Sequence, residues 1–153
     1  MAQRDYFAEL YVAGLMGDAG WNVYFPKRDM GFDFIATKSV SHNIIIRPVQ
    51  VKGLYPSEAK GDKTGYGYVG KLTHVHPQMA LVLPYFPTDA RGVAPDYVAF
   101  MPRQEIKAQT SKGFKCFPCN FVGGRATPRS SFRKFFGYPG MELMETSGWS
   151  TAL

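Results

Sequence analysis

The sequence segment that most constrains the fold is NIIIRPVQVKG, residues 43–53, where an apolar run ends in glutamine and lysine. Side chains of a strand alternate between its two faces, so Gln50 and Lys52 share one face while Val49 and Val51 share the other. The two valines indicate a strand that is buried on at least one side. Because an isolated ammonium group is costly in a buried position, we expect Lys52 to lie beside an acidic partner.

The composition is that of one globular domain. The chain has 153 residues, of which 45% are hydrophobic and 15% aromatic, enough for a substantial core. We expect a single domain over 1–153, with its core over about 3–110 and a basic, loop-rich C-terminal part over 111–153. No apolar run approaches the roughly 20 residues of a membrane span. The charged N-terminus and the two cysteines predict a cytoplasmic protein with no membrane partner.

The positive charge is unevenly distributed. Residues 103–134 hold eight basic side chains and one acidic side chain, a net charge of +7, whereas residues 1–58 are neutral. Such a basic segment beside a neutral body is typical of a polyanion-binding protein, although a solvated basic face is the simpler alternative. The candidate phosphate contacts are Lys71, Arg103, Lys107, Arg125, Arg129, Arg133 and Lys134.

Hydrophobic periodicity and turn residues predict an ordered series of elements. They are a helix over 3–18, strands over 21–26, 32–38, 43–53, 79–86 and 96–102, and a short helix over 103–110. The SVSH link is short enough for the second and third strands to pair antiparallel. Pro84 suggests that its strand ends there or lies at a sheet edge. This order predicts an α/β fold with a mixed β-sheet flanked by helices.

Antiparallel pairing of the second and third strands would bring Asp33 close to Gln50 and Lys52. Asp33 stands among apolar residues in GFDFIA, where aspartate is unfavourable, and the first helix carries Glu9 on an apolar side. Two carboxylates repel each other unless one is protonated or a cation lies between them. Oxygen ligands favour Mg²⁺, so we expect a magnesium site here, with a plain buried salt bridge between Asp33 and Lys52 as the alternative.

The order of a helical glutamate, then GFD, then a strand ending in Gln-x-Lys resembles the PD-(D/E)XK nuclease superfamily. WNVYFPKRDMGFDFIA and PVQVKG are similar to its small homing endonucleases and its Holliday-junction resolvases. The resemblance implies a restriction-endonuclease-like core, with Asp33, Glu9, Gln50 and the backbone carbonyl of Val51 as metal ligands. It also implies that Lys52 aligns the attacking water or steadies the phosphate. Gln50 replaces the usual acid, which removes one negative charge.

The resemblance further implies a Mg²⁺-dependent endonuclease that cuts duplex or branched double-stranded DNA, with Mn²⁺ as an expected substitute. Its catalytic residues would be Glu9, Asp33, Gln50 and Lys52. Cutting two strands with one site per chain requires two chains, so we expect a homodimer or homotetramer. The alternatives are a catalytically inactive nucleic-acid-binding module, which Gln50 favours, and an enzyme directed at RNA.

Two further motifs have simpler interpretations. His74 and His76 with Cys116 and Cys119 could form a zinc site, but two reduced loop cysteines are the favoured alternative. The glycine-rich segment over 61–71 lacks the spacing of a nucleotide-binding phosphate loop, and we expect a flexible loop there.

Overall fold

The fold was analysed in a computed structural model, which describes residues 3–28, 31–58, 68–70, 72, 74–108 and 113–150. Its α-helices are α1 (Gln3–Asp18) and α2 (Gly137–Leu143). Its strands are β1 (Asn22–Tyr24), β2 (Phe34–Val40), β3 (Asn43–Val51), β4 (Tyr68–Gly70), β5 (Ala80–Tyr85), β6 (Tyr97–Pro102), β7 (Lys107–Ala108), β8 (Phe114–Lys115), β9 (Cys119–Val122) and β10 (Arg125–Pro128). Four 3₁₀ helices cover Pro56–Glu58, Arg103–Glu105, Ser130–Phe135 and Ser147–Ser150.

A five-stranded mixed sheet in the order β1-β2-β3-β5-β6 forms the centre of the fold. β3 and β5 are parallel, whereas the other neighbouring strands are antiparallel. The predicted antiparallel pairing of β2 with β3 is confirmed, and it runs from Phe34 opposite Val49 to Val40 opposite Asn43. Ser41 and His42 join these strands with φ values of 49° and 68°, as a type I′ turn requires. The α/β class with a mixed sheet is therefore confirmed.

β5 lies inside the sheet, so the sheet edge that Pro84 suggested was wrong, whereas the strand end was confirmed within one residue, since β5 ends at Tyr85. The Lys52 N–H donates to the Val82 carbonyl at 3.0 Å, and parallel pairing of β3 with β5 stops at Val51 opposite Val82. Alternation along β5 turns the backbone nitrogen of Pro84 towards β3, beside Lys52. Because proline has no N–H, the parallel ladder is interrupted there. Pro84 is tolerated because the missing hydrogen bond falls at the point where β3 ends.

The two faces of the sheet have different coverings. On one face, Ala8, Val12 and Met16 of α1 pack with Phe34 and Val49 in a cluster that also contains Met141 of α2. On the other face, β5 and β6 are covered by the C-terminal part of the chain, whose buried contributors are Ile106, Cys116, Cys119 and Phe135. We call these the helix face and the C-terminal face. Within the described residues, no helix is both long and apolar enough to cross a membrane.

The predicted short helix over 103–110 was wrong. Arg103–Glu105 form a single 3₁₀ turn, and the chain then continues in β7. Ile106 has an extended backbone, with φ −99° and ψ 111°, and its side chain is buried in the C-terminal face. Burying this one large apolar side chain favours the extended conformation over another helical turn.

Candidate active site

Asp33 lies directly before β2 and is fixed by two backbone contacts with β3. Its N–H donates to the Val49 carbonyl at 2.9 Å, and its Oδ2 accepts a hydrogen bond from the Val51 N–H at 2.6 Å. In a continuing antiparallel ladder, a backbone carbonyl of β2 would accept the hydrogen bond from the Val51 N–H. The carboxylate takes that place in a short, charge-assisted bond, so Asp33 is held where β2 begins and β3 ends.

Gln50 and Lys52 project from the C-terminal face at the same end of the sheet. Val49 and Val51 belong to the cluster of the helix face, whereas Gln50 is opposite Leu81, whose side chain is buried in the C-terminal face. Both Gln50 and Lys52 are half-buried. Asp33 lies in the bend before β2, where its carboxylate accepts the N–H of Val51, the residue between Gln50 and Lys52. The three predicted residues thus lie at one end of the sheet.

Glu9 approaches this end of the sheet from the helix face. It is half-buried on α1, next to Ala8, which is fully buried. A Cβ atom placed on Gly53 would lie only 3.2 Å from the Ala8 Cβ, so α1 passes close to the chain directly after Lys52. Glycine permits this close approach. α1 therefore brings Glu9 towards the end of β3, where Asp33 contacts Val51.

The predicted ligand set consists of oxygen atoms alone. The N–H and C=O of one residue point to the same side of a strand, so the Val51 carbonyl is directed towards Asp33, to which the Val51 N–H donates. The described part of the chain contains no group of three or more His, Cys, Asp or Glu residues that could hold a metal ion. Mg²⁺ does not require one, since it is usually bound through one or two carboxylates together with waters and substrate phosphates. The residues present fit a magnesium ion that is held in part by its substrate.

His74 is a neighbour of this site that sequence reasoning considered only as a zinc ligand. Its ring centroid lies 6.4 Å from that of Phe32, and a Cβ atom placed on Gly31 would overlap the His74 Nδ1. The loop before β5 therefore contacts the GFD motif. The only sequence signal was the glycine itself, because the two contacting segments are far apart in the chain.

The two cysteines are free and buried in the C-terminal face. Burial raises the pKa of the Cys116 thiol to about 12, with a smaller contribution from Glu105, and burial likewise raises that of Cys119 to about 12. Where the structure describes the chain, no metal-binding group includes them. These findings favour reduced, structural cysteines over the zinc alternative.

Some of the predicted phosphate contacts also hold the C-terminal part together. The Arg129 guanidinium lies between the rings of Phe117 and Phe132, at 4.7 and 5.0 Å from their centroids. It also donates to the Phe117 carbonyl at 2.7 Å. Arg103 is half-buried and donates to the Ile106 carbonyl at 2.9 Å. Both arginines have contacts that stabilise the fold.

The other predicted phosphate contacts that the structure describes are exposed, and Lys71 lies outside the described residues. Arg125 forms an exposed ion pair with Asp96 at 2.8 Å. The side chains of the C-terminal part pack on the same face of the sheet that carries Gln50 and Lys52. Among the described residues of the basic segment 103–134, the exposed basic side chains are Lys107, Lys115, Arg125, Arg133 and Lys134.

Fold and site together define an α/β protein with a five-stranded mixed sheet and a carboxylate, amide and lysine group at the open end of the β2–β3 hairpin. No family model, curated protein or solved structure matches this chain.

Proposed function

We propose that this protein is a metal-dependent endonuclease that hydrolyses phosphodiester bonds of double-stranded DNA on a restriction-endonuclease-like core of the PD-(D/E)XK type. The proposal is carried by the Asp33 carboxylate, which is fixed by the Val51 N–H at 2.6 Å beside Gln50 and Lys52. Val51 stands between the half-buried Gln50 and Lys52, so the carboxylate, the amide and the ammonium group belong to one short stretch of the sheet.

Each residue of the site meets one requirement of phosphodiester hydrolysis. A bound divalent cation would activate the water and polarise the phosphate. The Asp33 carboxylate is oriented by its backbone hydrogen bond and supplies one ligand, and Glu9 supplies a second from the other face. Gln50 contributes a neutral amide oxygen, and the Lys52 ammonium group offsets the negative charge that develops on the phosphate.

The basic C-terminal part supplies the contacts to the DNA backbone. Its exposed lysines and arginines neutralise phosphates on the same face as the catalytic group, which brings the scissile bond to Asp33. Cleavage of both strands requires two active sites, so the working form is a homodimer or homotetramer.

A second candidate function is a nucleic-acid-binding module that has lost catalysis. Gln50 favours this alternative, because it leaves the site with fewer negative charges for a cation than two carboxylates on the same strand pair would provide. The basic surface would be retained in either case.

Incubation of supercoiled plasmid with Mg²⁺ tests the catalytic proposal. The parent protein should nick the plasmid, while Asp33→Asn and Lys52→Ala should each lower the rate by about 100-fold or more. Asparagine at position 33 can still accept the hydrogen bond from the Val51 N–H, so it removes the charge and keeps the local fold. Asp18→Asn, an exposed change at the end of α1, is the matched control and should retain the parent rate.

If the plasmid stays intact with the parent protein in both Mg²⁺ and Mn²⁺, this result would contradict the proposed endonuclease activity. If salt-sensitive gel shifts persisted under those conditions, the binding module would be supported. Competition of the plasmid with RNA of matched length separates a DNA-directed from an RNA-directed activity.

A further inference from the structure

The segment 74–78 connects a residue of β3 with the turn before β2. At one end, the Gln78 Oε1 accepts a hydrogen bond from the Arg47 Nη1, and Arg47 belongs to β3. At the other end, the His74 ring lies against Gly31, two residues before Asp33. The five residues span at most about 17 Å when extended, so this segment has to pass beside the end of the β2–β3 hairpin. It thus forms one wall of the proposed active site.

His74 is placed so that its imidazole can meet a substrate at this wall. The side chain is exposed, although its ring rests on Phe32 and Gly31. Gly31 has a φ of 92°, and any side chain there would displace the imidazole, so the glycine makes room for the histidine. Asp33 is separated from Gly31 by about 7 Å of extended chain. An imidazole in either tautomer presents at least one N–H donor.

We infer that His74 is a substrate-binding residue that donates an N–H to a phosphate oxygen of the DNA strand next to the cleaved bond. The inference rests on the proposed nuclease function. Asp33 and Glu9 are acidic and repel a polyanion, and Lys52 offers a donor from β3 only. A donor from His74 adds a second phosphate contact, of the kind that fixes the register and orientation of a nucleic acid.

The test compares two substitutions of similar size that differ in hydrogen bonding. His74→Leu keeps apolar contact with Phe32 and has no donor, whereas His74→Gln provides an amide N–H. In single-turnover nicking of plasmid with Mg²⁺, His74→Leu should lower the rate by about 10- to 100-fold, the effect of one hydrogen bond to a charged group. His74→Gln should recover at least part of that loss.

His76→Asn is the matched control in the same loop. The His76 Nδ1 accepts a hydrogen bond from the Gln78 N–H at 3.0 Å, and an asparagine oxygen can replace it. This variant should nick within about twofold of the parent. Equal rates for His74→Leu and His74→Gln, whether both fast or both slow, would overturn the inference, as would an equal loss in His76→Asn.

Failure of the proposed function gives a different result from failure of this inference. If the parent protein nicks the plasmid and His74→Leu and His74→Gln nick it at equal rates, the inference about His74 is wrong while the proposed function stands. If the parent does not nick, the same pair is compared by fluorescence anisotropy with a labelled duplex. Weaker binding by His74→Leu than by His74→Gln then supports the phosphate contact, whereas equal affinity, or no binding by the parent, overturns it.

Discussion

At the scale of single residues, the fold depends on polar groups that replace missing backbone partners. The pairing of β2 with β3 begins at Phe34, opposite Val49. Just before it, the Asp33 carboxylate accepts a hydrogen bond from the Val51 N–H, and this bond fixes the orientation of the carboxylate. A side chain held in this way loses little further entropy when it binds a ligand. The same contact therefore stabilises the end of β3 and keeps the carboxylate in one orientation.

The thiols of Cys116 and Cys119 give a prediction at the same scale. With pKa values raised to about 12, they should be almost entirely protonated at pH 8. Because only the thiolate is nucleophilic, we expect an aromatic disulfide reagent to label the native protein at least about 100-fold more slowly than free cysteine. Both thiols should react rapidly in denaturing urea. Rapid labelling of the native protein at pH 8 would contradict their burial.

The same shift makes the stability of the protein depend on pH. A thiol with an ordinary pKa of 9.0 in the unfolded chain deprotonates before the buried thiol does. The unfolded state therefore binds fewer protons between about pH 9 and 12, and the free energy of unfolding should fall over this range. Replacement of both cysteines by alanine should remove this part of the pH dependence.

At the scale of elements, Arg47 connects β3 with the chain that follows α2. Its side chain donates to the Met144 carbonyl at 3.0 Å and the Thr146 carbonyl at 3.3 Å, and the residue is only 5% exposed. Burial lowers the pKa of the guanidinium below its ordinary value, but arginine remains protonated in proteins. Lys38 of β2 makes a second link, to Glu145 at 3.1 Å. Together these contacts hold the end of α2 on the helix face.

Arg47→Met tests this connection. The substitution removes the donors of two backbone carbonyls while it keeps most of the side-chain volume. Unsatisfied buried acceptors cost about 1–3 kcal/mol each, so urea denaturation should give a loss of about 2–5 kcal/mol in the free energy of unfolding. Arg133→Met, at an exposed position, should change it by no more than about 0.5 kcal/mol. Equal stability of the two variants would contradict a structural role for Arg47.

The elements that could be predicted from the sequence are those whose pattern is local. α1 and the central strands follow from apolar periodicity and from turn residues at their ends. The C-terminal strands could not be placed, because β7 and β8 have two residues each and pair with each other and with β4 in a separate small sheet. Burial of Ile106 overrides local helix propensity in the same part.

The same distinction holds for the candidate site. Strand alternation was sufficient to place Gln50 and Lys52 on one face. Hairpin pairing was sufficient to bring Asp33 to the end of β3, where it contacts Val49 and Val51. Which apolar side of α1 faces the sheet could not be decided locally, so the direction from which Glu9 approaches required the structure. The contact of His74 with Gly31 joins segments distant in sequence, and no periodic pattern encodes such a contact.

At the scale of the whole molecule, one face of the sheet is covered by the α-helices and the other by the basic segment of the chain. Both α-helices contribute to the cluster of the helix face, whereas the C-terminal face is covered by the segment that holds most of the net charge. Under the proposed function, a polyanion would approach the face from which Gln50 and Lys52 project. Long-range attraction of this kind directs encounter without determining sequence specificity.

The salt dependence of DNA binding tests this arrangement. Loss of one phosphate contact lowers the slope of log affinity against log salt concentration by about 0.9. Arg133→Gln and Lys134→Gln, at exposed positions, should each produce such a change in a fluorescence anisotropy titration, without loss of thermal stability. Arg129→Gln should instead lower the melting temperature, since it removes the contacts with Phe117 and Phe132. If neither exposed variant changes the slope, DNA does not bind along this segment, and the attraction that brings the phosphate to Asp33 must come from other cations.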